Sequence, residues 1–420
     1  MNKKNTMKNL YYLVLIFFTF FLFSFSNFEN FENIESMETS DSIIISKIVN
    51  ETERLKDTIH LFSQYDFDFK VATDSIKIFE DSLKKIQKNQ NSELKKAFDS
   101  NKNISSLEDY LKQFNLLYIS VSKTSRDTLE IKEKLKKLNH SILSLKSNRD
   151  AYFNLLNTSK KEVLNLISTI KAPIIFPIQF WNSKFDVVVV NNEYNDLKII
   201  GNTSGKKQPL SSQYSSAISK SNYGVLMNAG MYEENGTAVG LLISNRKQQH
   251  EINLKKGLPG NFYTLKNAIF YSDTVGKFYI NPSDSFYQKY KNDKYSNISF
   301  ATQSGPLLVS NGIINSELGF RSTNKVIRNG IGVINNSKNN ICVFIISETT
   351  TTFYEMAALF NFLGCEDALY LDGFVSQLIY KGPNKELFRT SRTDTQLLGP
   401  VFSVTSKESL KEKNNVRPKK

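Results

Sequence analysis

Hydrophobic and polar residues follow three different patterns along the 420-residue chain, and each pattern predicts a different structure. The first is an apolar run, Leu10–Phe25, that directly follows lysines near the N-terminus. Positive charges before a short apolar run are typical of an export signal. No small-x-small cleavage site follows the run. We therefore predict that residues 1–26 are a signal anchor. A cleaved signal peptide and a hydrophobic helix of a cytosolic protein are the alternatives.

The second pattern is a heptad-like alternation of spacings of four and three within residues 27–171, a segment without glycine or proline. It includes Ile48, Leu55, Ile59, Phe62, Ile131, Leu135, Leu138, Ile142, Leu145, Tyr152, Leu156, Val163, Leu166 and Ile170. Such spacing predicts long helices that pack as a coiled coil or a helical hairpin. The charged residues fit solvated outer faces, and none suggests catalysis. We predict a helical coiled-coil stalk that also offers a surface for self-association.

The third pattern occupies residues 172–405, where prolines and glycines separate short apolar runs such as "FDVVVV", "NICVFIIS" and "ALYLD". These runs predict strands. Between two of them, "TTTTFYEMAALFNFLG" has helical apolar spacing and ends on Gly364. The order strand, helix, strand predicts an α/β or α+β domain with a mixed β-sheet. The remaining residues, 406–420, predict a disordered basic tail.

Composition removes several classes of function. The chain has 54 Lys and Arg against 41 Asp and Glu, a net charge of +13, but the excess is scattered and partly terminal. No basic stripe indicates nucleic-acid binding, so we predict no nucleic-acid partner. Cys342 and Cys365 lie outside any CxxC pattern and are expected to be buried free thiols, with one disulfide left open for an exported domain. No cofactor and no histidine metal site is predicted, and a carboxylate site for a hard cation stays open.

Candidate chemistry lies where apolar strands of the third segment end. The polar residues at these positions are Asn228, Gln303, Ser304, Arg328, Glu348, Thr349 and Asp372. Each residue taken alone fits a turn or capping role, and Asp-Gly at Asp372 is a favoured turn pair. Strand ends backed by glycines are also where an α/β scaffold exposes rigidly held polar groups. Five such ends in one domain favour a single shared pocket.

The residue types restrict the reaction. Nucleophile-elbow, dinucleotide-binding and P-loop motifs are all missing from the sequence. Two carboxylates, Glu348 and Asp372, suit glycoside chemistry with an oxocarbenium-like transition state. An arginine such as Arg328 suits a phosphate or another anion, because its planar fork matches two oxygens at once.

Five ordered motifs resemble the phosphodiester glycosidase family: "NAGMY", "LPGNFYTLKNAIFY", "ATQSGPLLV", "RNGIGV" and "LGCEDALYLDGFVSQLIY". The catalytic domain of that family resembles N-acetylglucosamine-1-phosphodiester α-N-acetylglucosaminidase, the uncovering enzyme. The resemblance covers about residues 185–405. It implies that Asn228, Gln303, Arg328 and Asp372 line the site.

The resemblance implies hydrolysis of a sugar-1-phosphodiester. The N-terminal segment, which lies outside the resemblance, predicts that this enzyme is exported and membrane-anchored, with its catalytic domain outside the cytoplasm, or secreted if the segment is cleaved. Asp372 is expected to act as nucleophile or charge stabiliser, Arg328 to hold the phosphate and Glu348 to activate water. Asn228, Gln303, Ser304, Thr349 and Ser376 are expected to bind substrate. The rival interpretation is a non-catalytic envelope protein with a carbohydrate-binding domain, and a third is a helical region that recruits a partner.

Overall fold

The computed structural model describes residues 40–87, 129–201, 208–335, 340–382, 387–389 and 397–407. The predicted signal anchor, almost all of the predicted basic tail and the stalk between residues 88 and 128 lie outside the described residues. The chain divides into two compact units, Met1–Ile43 and Ile44–Lys420. The first is described only at residues 40–43, the start of a helix. None of the described helices is long and apolar enough to cross a membrane.

Six α-helices occur in the described part of the chain. They are α1 (Ser40–Gln87), α2 (Leu129–Thr169), α3 (Leu210–Ala217), α4 (Asn261–Thr264), α5 (Ser283–Tyr290) and α6 (Phe353–Phe362). The last was expected from its apolar spacing. It begins with a capping box, in which Thr352 accepts a hydrogen bond from the Glu355 N–H and the Glu355 carboxylate accepts one from the Thr352 N–H. Such reciprocal bonds satisfy two donors that a helix start leaves open.

Strands dominate the rest of the described chain. They are β1 (Ile175–Phe180), β2 (Ser183–Asn191), β3 (Asn195–Ile200), β4 (Gln208–Pro209), β5 (Gly224–Asn228), β6 (Leu242–Ser244), β7 (Lys247–His250), β8 (Ala268–Asp273), β9 (Phe278–Pro282), β10 (Ile298–Ser304), β11 (Leu307–Ser310), β12 (Ile313–Ile314), β13 (Asn329–Asn335), β14 (Asn340–Ser347), β15 (Asp367–Tyr370), β16 (Leu378–Lys381), β17 (Leu387–Arg389), β18 (Leu397–Leu398) and β19 (Val401–Ser406).

Three sheets organise these strands. The large sheet has the order β1-β2-β14-β13-β15-β11-β12, the second sheet β17-β16-β5-β19-β3, and the third sheet β7-β6-β10-β8-β9, while β4 and β18 form a separate pair. Side chains alternate between the two faces of a strand. Along β2, Val187 and Val189 accordingly enter a core shared with helices, whereas Val188 and Val190 enter a core shared with the other sheets.

Helices α1 and α2 cover one face of the large sheet together with α6. We call the core beneath them the helix-side core. Its helical members include Leu55, Val163 and Phe360, which are at most 1% exposed. The heptad residues nearest the domain therefore pack against the sheet as well as against each other. A helical seam that shares the core of the following domain stabilises that domain directly, because its apolar area leaves water only in the assembled fold.

The contacts between α1 and α2 show that the two helices run antiparallel where their side chains are described. Arg149 binds Asp66 at 2.9 Å, the rings of Tyr65 and Tyr152 stack, and nearer the sheet Arg54 approaches Ser159 at 3.4 Å. Arg149 and Ser159 occupy seam positions, where a polar side chain weakens the apolar contact. Pairing across the helices offsets part of that cost.

Glycines in "RNGIGVI" let α6 approach the large sheet closely. A Cβ atom at Gly330 would lie 3.0 Å from the Phe360 ring and 2.9 Å from the Leu369 carbonyl oxygen. At Gly332 it would meet the ring and the Cys365 sulfur. Cys342 and Cys365 are both free and buried, on opposite faces of this sheet.

The prediction of a mixed sheet was wrong, because every strand pair in the described residues is antiparallel. The strands on either side of α6, β14 and β15, do run in the same direction. They do not pair with each other, because β13 lies between them and is antiparallel to both. The domain is therefore α+β.

Candidate functional site

The ends of β14 and β15 and the start of β13 lie at one edge of the large sheet. Glu348 directly follows β14, Asp372 lies two residues after β15, and Asn329 is the first residue of β13. Since β13 separates two strands of the same direction, Glu348 and Asp372 lie about two strand spacings apart, roughly 10 Å. Three segments that are distant in the sequence thus bring carboxylates and an amide to the same edge.

Asn228 connects this edge to the second sheet. It ends β5 and is fully buried. Its amide nitrogen donates a hydrogen bond to the Asp372 carbonyl oxygen at 2.9 Å. Its amide oxygen accepts from Asn329 Nδ2 at 2.8 Å and from the Gln377 N–H at 3.0 Å. Asn228 therefore fixes the backbone of the loop that carries Asp372.

Ser376 belongs to the same network. Its hydroxyl lies 2.9 Å from the Gly373 carbonyl oxygen and 3.3 Å from Asn329 Oδ1. At 1% exposure it holds the turn after Asp372 in place. Asp372 itself is partly exposed and begins a 3₁₀ turn without capping it through its side chain.

Tyr232 lies close enough to Asp372 to sense its charge. Burial raises the pKa of Tyr232 above its ordinary value, and the negative charge of Asp372 raises this pKa further. A hydroxyl that keeps its proton can donate a hydrogen bond to a carboxylate or to a substrate oxygen. Tyr232 ends the "NAGMY" motif, and this position was the signal available in the sequence.

Arg328 lies on the opposite face of the sheet, 1% exposed. Its Nε donates to the Thr351 carbonyl oxygen at 2.9 Å and a terminal nitrogen donates to the Asn324 carbonyl oxygen at 3.0 Å. The guanidinium carbon lies 3.6 Å from the centroid of the Phe353 ring and 5.6 Å from that of Tyr370. Burial lowers the Arg328 pKa from its ordinary value, and Tyr370 opposes the shift.

Tyr370 links Arg328 to the loop of Asp372. Burial raises the pKa of Tyr370, whereas the Arg328 guanidinium and a hydrogen bond from the Gly373 backbone oppose the rise. A Cβ atom at Gly373 would overlap the Tyr370 hydroxyl, so a larger residue at this position would displace the tyrosine ring. Arg328 thus reaches the site through a tyrosine that holds the first residue of the turn.

Gln303 and Ser304 point to different faces of β10. The Gln303 side chain is 1% exposed and enters the outer side of the third sheet, where it bonds to the backbone of Leu241 and Asn253 and to Ser283. Ser304 faces the core between the sheets, and its buried hydroxyl has no hydrogen-bond partner among the described residues. The predicted substrate-binding role of both stays a prediction.

Glu348 and Thr349 lie at the same edge beside β2. The Glu348 N–H donates to the Lys184 carbonyl oxygen at 2.9 Å, and the Thr349 hydroxyl accepts from the Lys184 N–H at 2.9 Å. Both side chains are exposed.

Glu348 has a second acid next to it, Asp186 of β2. Burial raises the pKa of Asp186 to about 8, and the charge and hydrogen bond of Glu348 contribute to that rise.

The structure therefore brings Asn228, Asp372 and Ser376 into one bonded network, with Glu348 at the same sheet edge. Arg328 is joined to this network through Tyr370, whereas the Gln303 side chain is turned away from it. A cavity of about 660 Å³ is lined by Gln249–Lys255. It adjoins the side of the third sheet that the Gln303 side chain enters. The bonded network, which holds the Asp372 loop, is the candidate site.

One comparison with known proteins, that with family models, agrees with the resemblance seen in the motifs. Residues 221–401 match the family model described as phosphodiester glycosidase, which confirms that resemblance. YigE, an uncharacterized protein of Escherichia coli strain K12, is 38% identical over 159 residues; the match covers 37% of this chain and 58% of YigE. A crystal structure of a protein described as exported, from Burkholderia pseudomallei K96243, aligns with 53% of this chain and 74% of that chain at 10% identity and a TM-score of 0.27.

Replacing Arg328 by Lys should lower the free energy of unfolding by about 1–3 kcal/mol. A lysine cannot donate to the Thr351 and Asn324 carbonyl oxygens and also stack on Phe353, so at least one buried acceptor loses its partner. Urea denaturation measures the loss.

Arg321→Lys is the matched control. Its side chain is 67% exposed and pairs with Asp68, so the same substitution should change stability by less than ~0.5 kcal/mol. An Arg328→Lys protein as stable as wild type, but with a raised KM, would instead support the phosphate-binding role predicted from the sequence.

Proposed function

We propose that the chain is a hydrolase that cleaves a sugar-1-phosphodiester, of the N-acetylglucosamine-1-phosphodiester type, at the glycosidic bond. The family match over residues 221–401 supports the class of reaction. The observation that carries the proposal is the pair of carboxylates at one sheet edge, Glu348 after β14 and Asp372 after β15. The bonded network of Asn228, Asn329 and Ser376 gives the Asp372 loop one fixed geometry.

The demands of this reaction fit two carboxylates. The leaving group is a phosphomonoester, which is weakly basic and needs little proton donation. The enzyme must stabilise positive charge at the anomeric carbon and direct water to it. Asp372 serves the first demand as nucleophile or charge stabiliser. Glu348 serves the second by accepting a proton from water. The backbones of the two residues are separated by roughly 10 Å, two strand spacings, which leaves space for a water molecule between them.

The remaining polar groups orient the substrate. Tyr232 lies beside Asp372 and offers a protonated hydroxyl to the sugar or the phosphate. Ser304, whose hydroxyl lacks a partner among the described residues, and Thr349, which is exposed, are the predicted substrate-binding residues with free capacity. Arg328 acts on this site through Tyr370.

The test is an assay of the full chain against a panel of sugar-1-phosphodiesters, with methyl N-acetylglucosamine-1-phosphate and sugar-1-phosphates as members. We expect release of free sugar and a phosphomonoester from the diester. Release of sugar from simple glycosides at the same rate would contradict a phosphodiester specificity. Binding without hydrolysis of any member would favour the carbohydrate-binding scaffold.

We also propose that the enzyme is exported and held at a membrane by residues 1–26, with its catalytic domain outside the cytoplasm. The lysines that precede Leu10–Phe25 support this location. Digestion of the catalytic domain when protease is added to spheroplasts is the expected result. Protection of the domain until the spheroplasts are lysed would contradict export.

A further inference from the structure

Asp186 is an acid in an unusual place. It lies within β2, in the run "FDVVVV", and is 3% exposed. Its Oδ2 atom has no hydrogen-bond partner among the described residues. An ionised carboxylate without donors is expensive to bury, whereas the protonated form is much cheaper and can donate a hydrogen bond. The surroundings of Asp186 therefore select the neutral acid.

Strand register places Asp186 on the face that carries the candidate site. Asp186 pairs with Ile346, and Ile346 pairs with Asn329 on its other side. Directly opposed residues share a face of the sheet, so Asp186 and Asn329 project from the same face, roughly 10 Å apart. Glu348 continues the ladder two residues beyond Ile346, with its N–H bonded to the Lys184 carbonyl oxygen. It reaches Asp186 from the solvent side.

We propose that Asp186 is a positioning residue for this hydrolysis: in its neutral form it donates a hydrogen bond to the Glu348 carboxylate and aims that carboxylate at the attacking water. The proposal rests on the proposed function. In the step it serves, with Asp372 as charge stabiliser, the water oxygen bonds to the anomeric carbon and a water proton passes to Glu348. The bond from that carbon to the phosphate oxygen breaks, and its electron pair leaves with the phosphomonoester.

The different solvent exposure of the two acids decides which of them holds the proton. Glu348 is exposed and Asp186 is buried, and because burial raises the pKa of Asp186, this acid keeps the proton. Glu348 is the one ionisable group that raises the Asp186 pKa among the described residues, and Lys184 is the nearest cation along the strand. Because that pKa lies at about 8, Asp186 is protonated at neutral pH and loses its proton in mildly alkaline solution.

The first arm of the test is kinetic. Wild-type kcat/KM should fall above pH ~8, where Asp186 ionises and repels Glu348. Asp186→Asn should remove this fall and retain activity, because an amide nitrogen donates the same bond and does not titrate. Asp186→Ala should lower kcat about 10- to 100-fold by releasing Glu348. Asp284→Asn, an exposed acid paired with Lys256, should keep the wild-type pH profile.

The second arm measures stability without substrate. The pKa of Asp186 is raised on folding, so its contribution is complete below the unfolded pKa of about 3.9 and declines until the pH reaches about 8. The Tm of Asp186→Asn should therefore rise relative to wild type between pH 4 and pH 8 and stay level above it. A chain that hydrolyses no member of the panel fails the proposed function, and this arm still decides where the proton lies.

Three results would overturn the inference. One is an alkaline fall in kcat/KM that persists in Asp186→Asn. Another is wild-type kcat in Asp186→Ala. The third is a Tm of wild type, but not of Asp186→Asn, that rises with millimolar CaCl₂ at pH 7, since the two acids would then hold a cation in place of the shared proton.

Discussion

Replacing Asp372 by Asn should lower kcat for the sugar-1-phosphodiester by about 100- to 1,000-fold, a loss of ~3–4 kcal/mol of transition-state stabilisation. The amide keeps the size of the carboxylate but removes the charge that, in the proposed function, stabilises the anomeric carbon. The fold should survive, because Asn228 binds the carbonyl oxygen of residue 372 and not its side chain. Steady-state kinetics and a thermal melt measure the two properties separately.

Asp367→Asn is the matched control for this experiment. Asp367 is in the same stretch, "DALYLDG", but begins β15, at the edge of the sheet away from the site, and accepts a hydrogen bond from the Asn311 N–H at 3.0 Å. Its substitution should leave kcat unchanged. Near-normal turnover by a folded Asp372→Asn protein would return Asp372 to the role of a turn residue.

Replacing Leu55 by Ala should lower the free energy of unfolding by about 2–5 kcal/mol. Leu55 belongs to α1 but is 1% exposed, because it packs in the helix-side core with residues of the large sheet. The change removes buried methyl groups and leaves a cavity beneath the sheet. If α1 were only a spacer that does not share the core of the domain, the substitution would destabilise the helix alone. The domain would then unfold at the same denaturant concentration as in wild type.

The same substitution at an exposed site separates packing from helix propensity. Leu143 lies in α2 with 48% of its surface exposed, and Leu143→Ala should change stability by no more than ~0.5 kcal/mol. Denaturation followed by both circular dichroism and fluorescence of Trp181 tests the coupling, since the Trp181 ring nitrogen bonds to the Lys56 carbonyl oxygen of α1. A loss in Leu55→Ala as small as that in Leu143→Ala would contradict a shared core.

Local pattern was sufficient to predict much of the fold. Runs such as "FDVVVV" and "NICVFIIS" became β2 and β14, and the helix that ends at Gly364 is α6. The mixed sheet was predicted wrongly, because a strand, helix, strand order fixes the direction of two strands but not which strand lies between them. That depends on β13, whose pairing with both is decided by tertiary packing.

Part of the candidate site could also be predicted from local pattern. Polar residues at strand ends identified Asn228, Glu348 and Asp372, since glycine-backed strand ends expose polar groups. Asp186 could not be found in this way, because an acid within an apolar run looks like ordinary alternation until its neighbours are known. Tyr370 was not predicted as a site residue for a similar reason. Its aromatic ring fits a buried strand, and only the fold places its hydroxyl between Arg328 and Gly373.

The position of β19 sets the order in which this domain can be completed during synthesis. Val401–Ser406 is among the last described segments, yet it lies between β5 and β3 and pairs with both. Contacts between residues so far apart in sequence form slowly. Neither β3 nor the facing edge of β5 can be paired before Val401–Ser406 has been synthesised, so the second sheet stays incomplete until then.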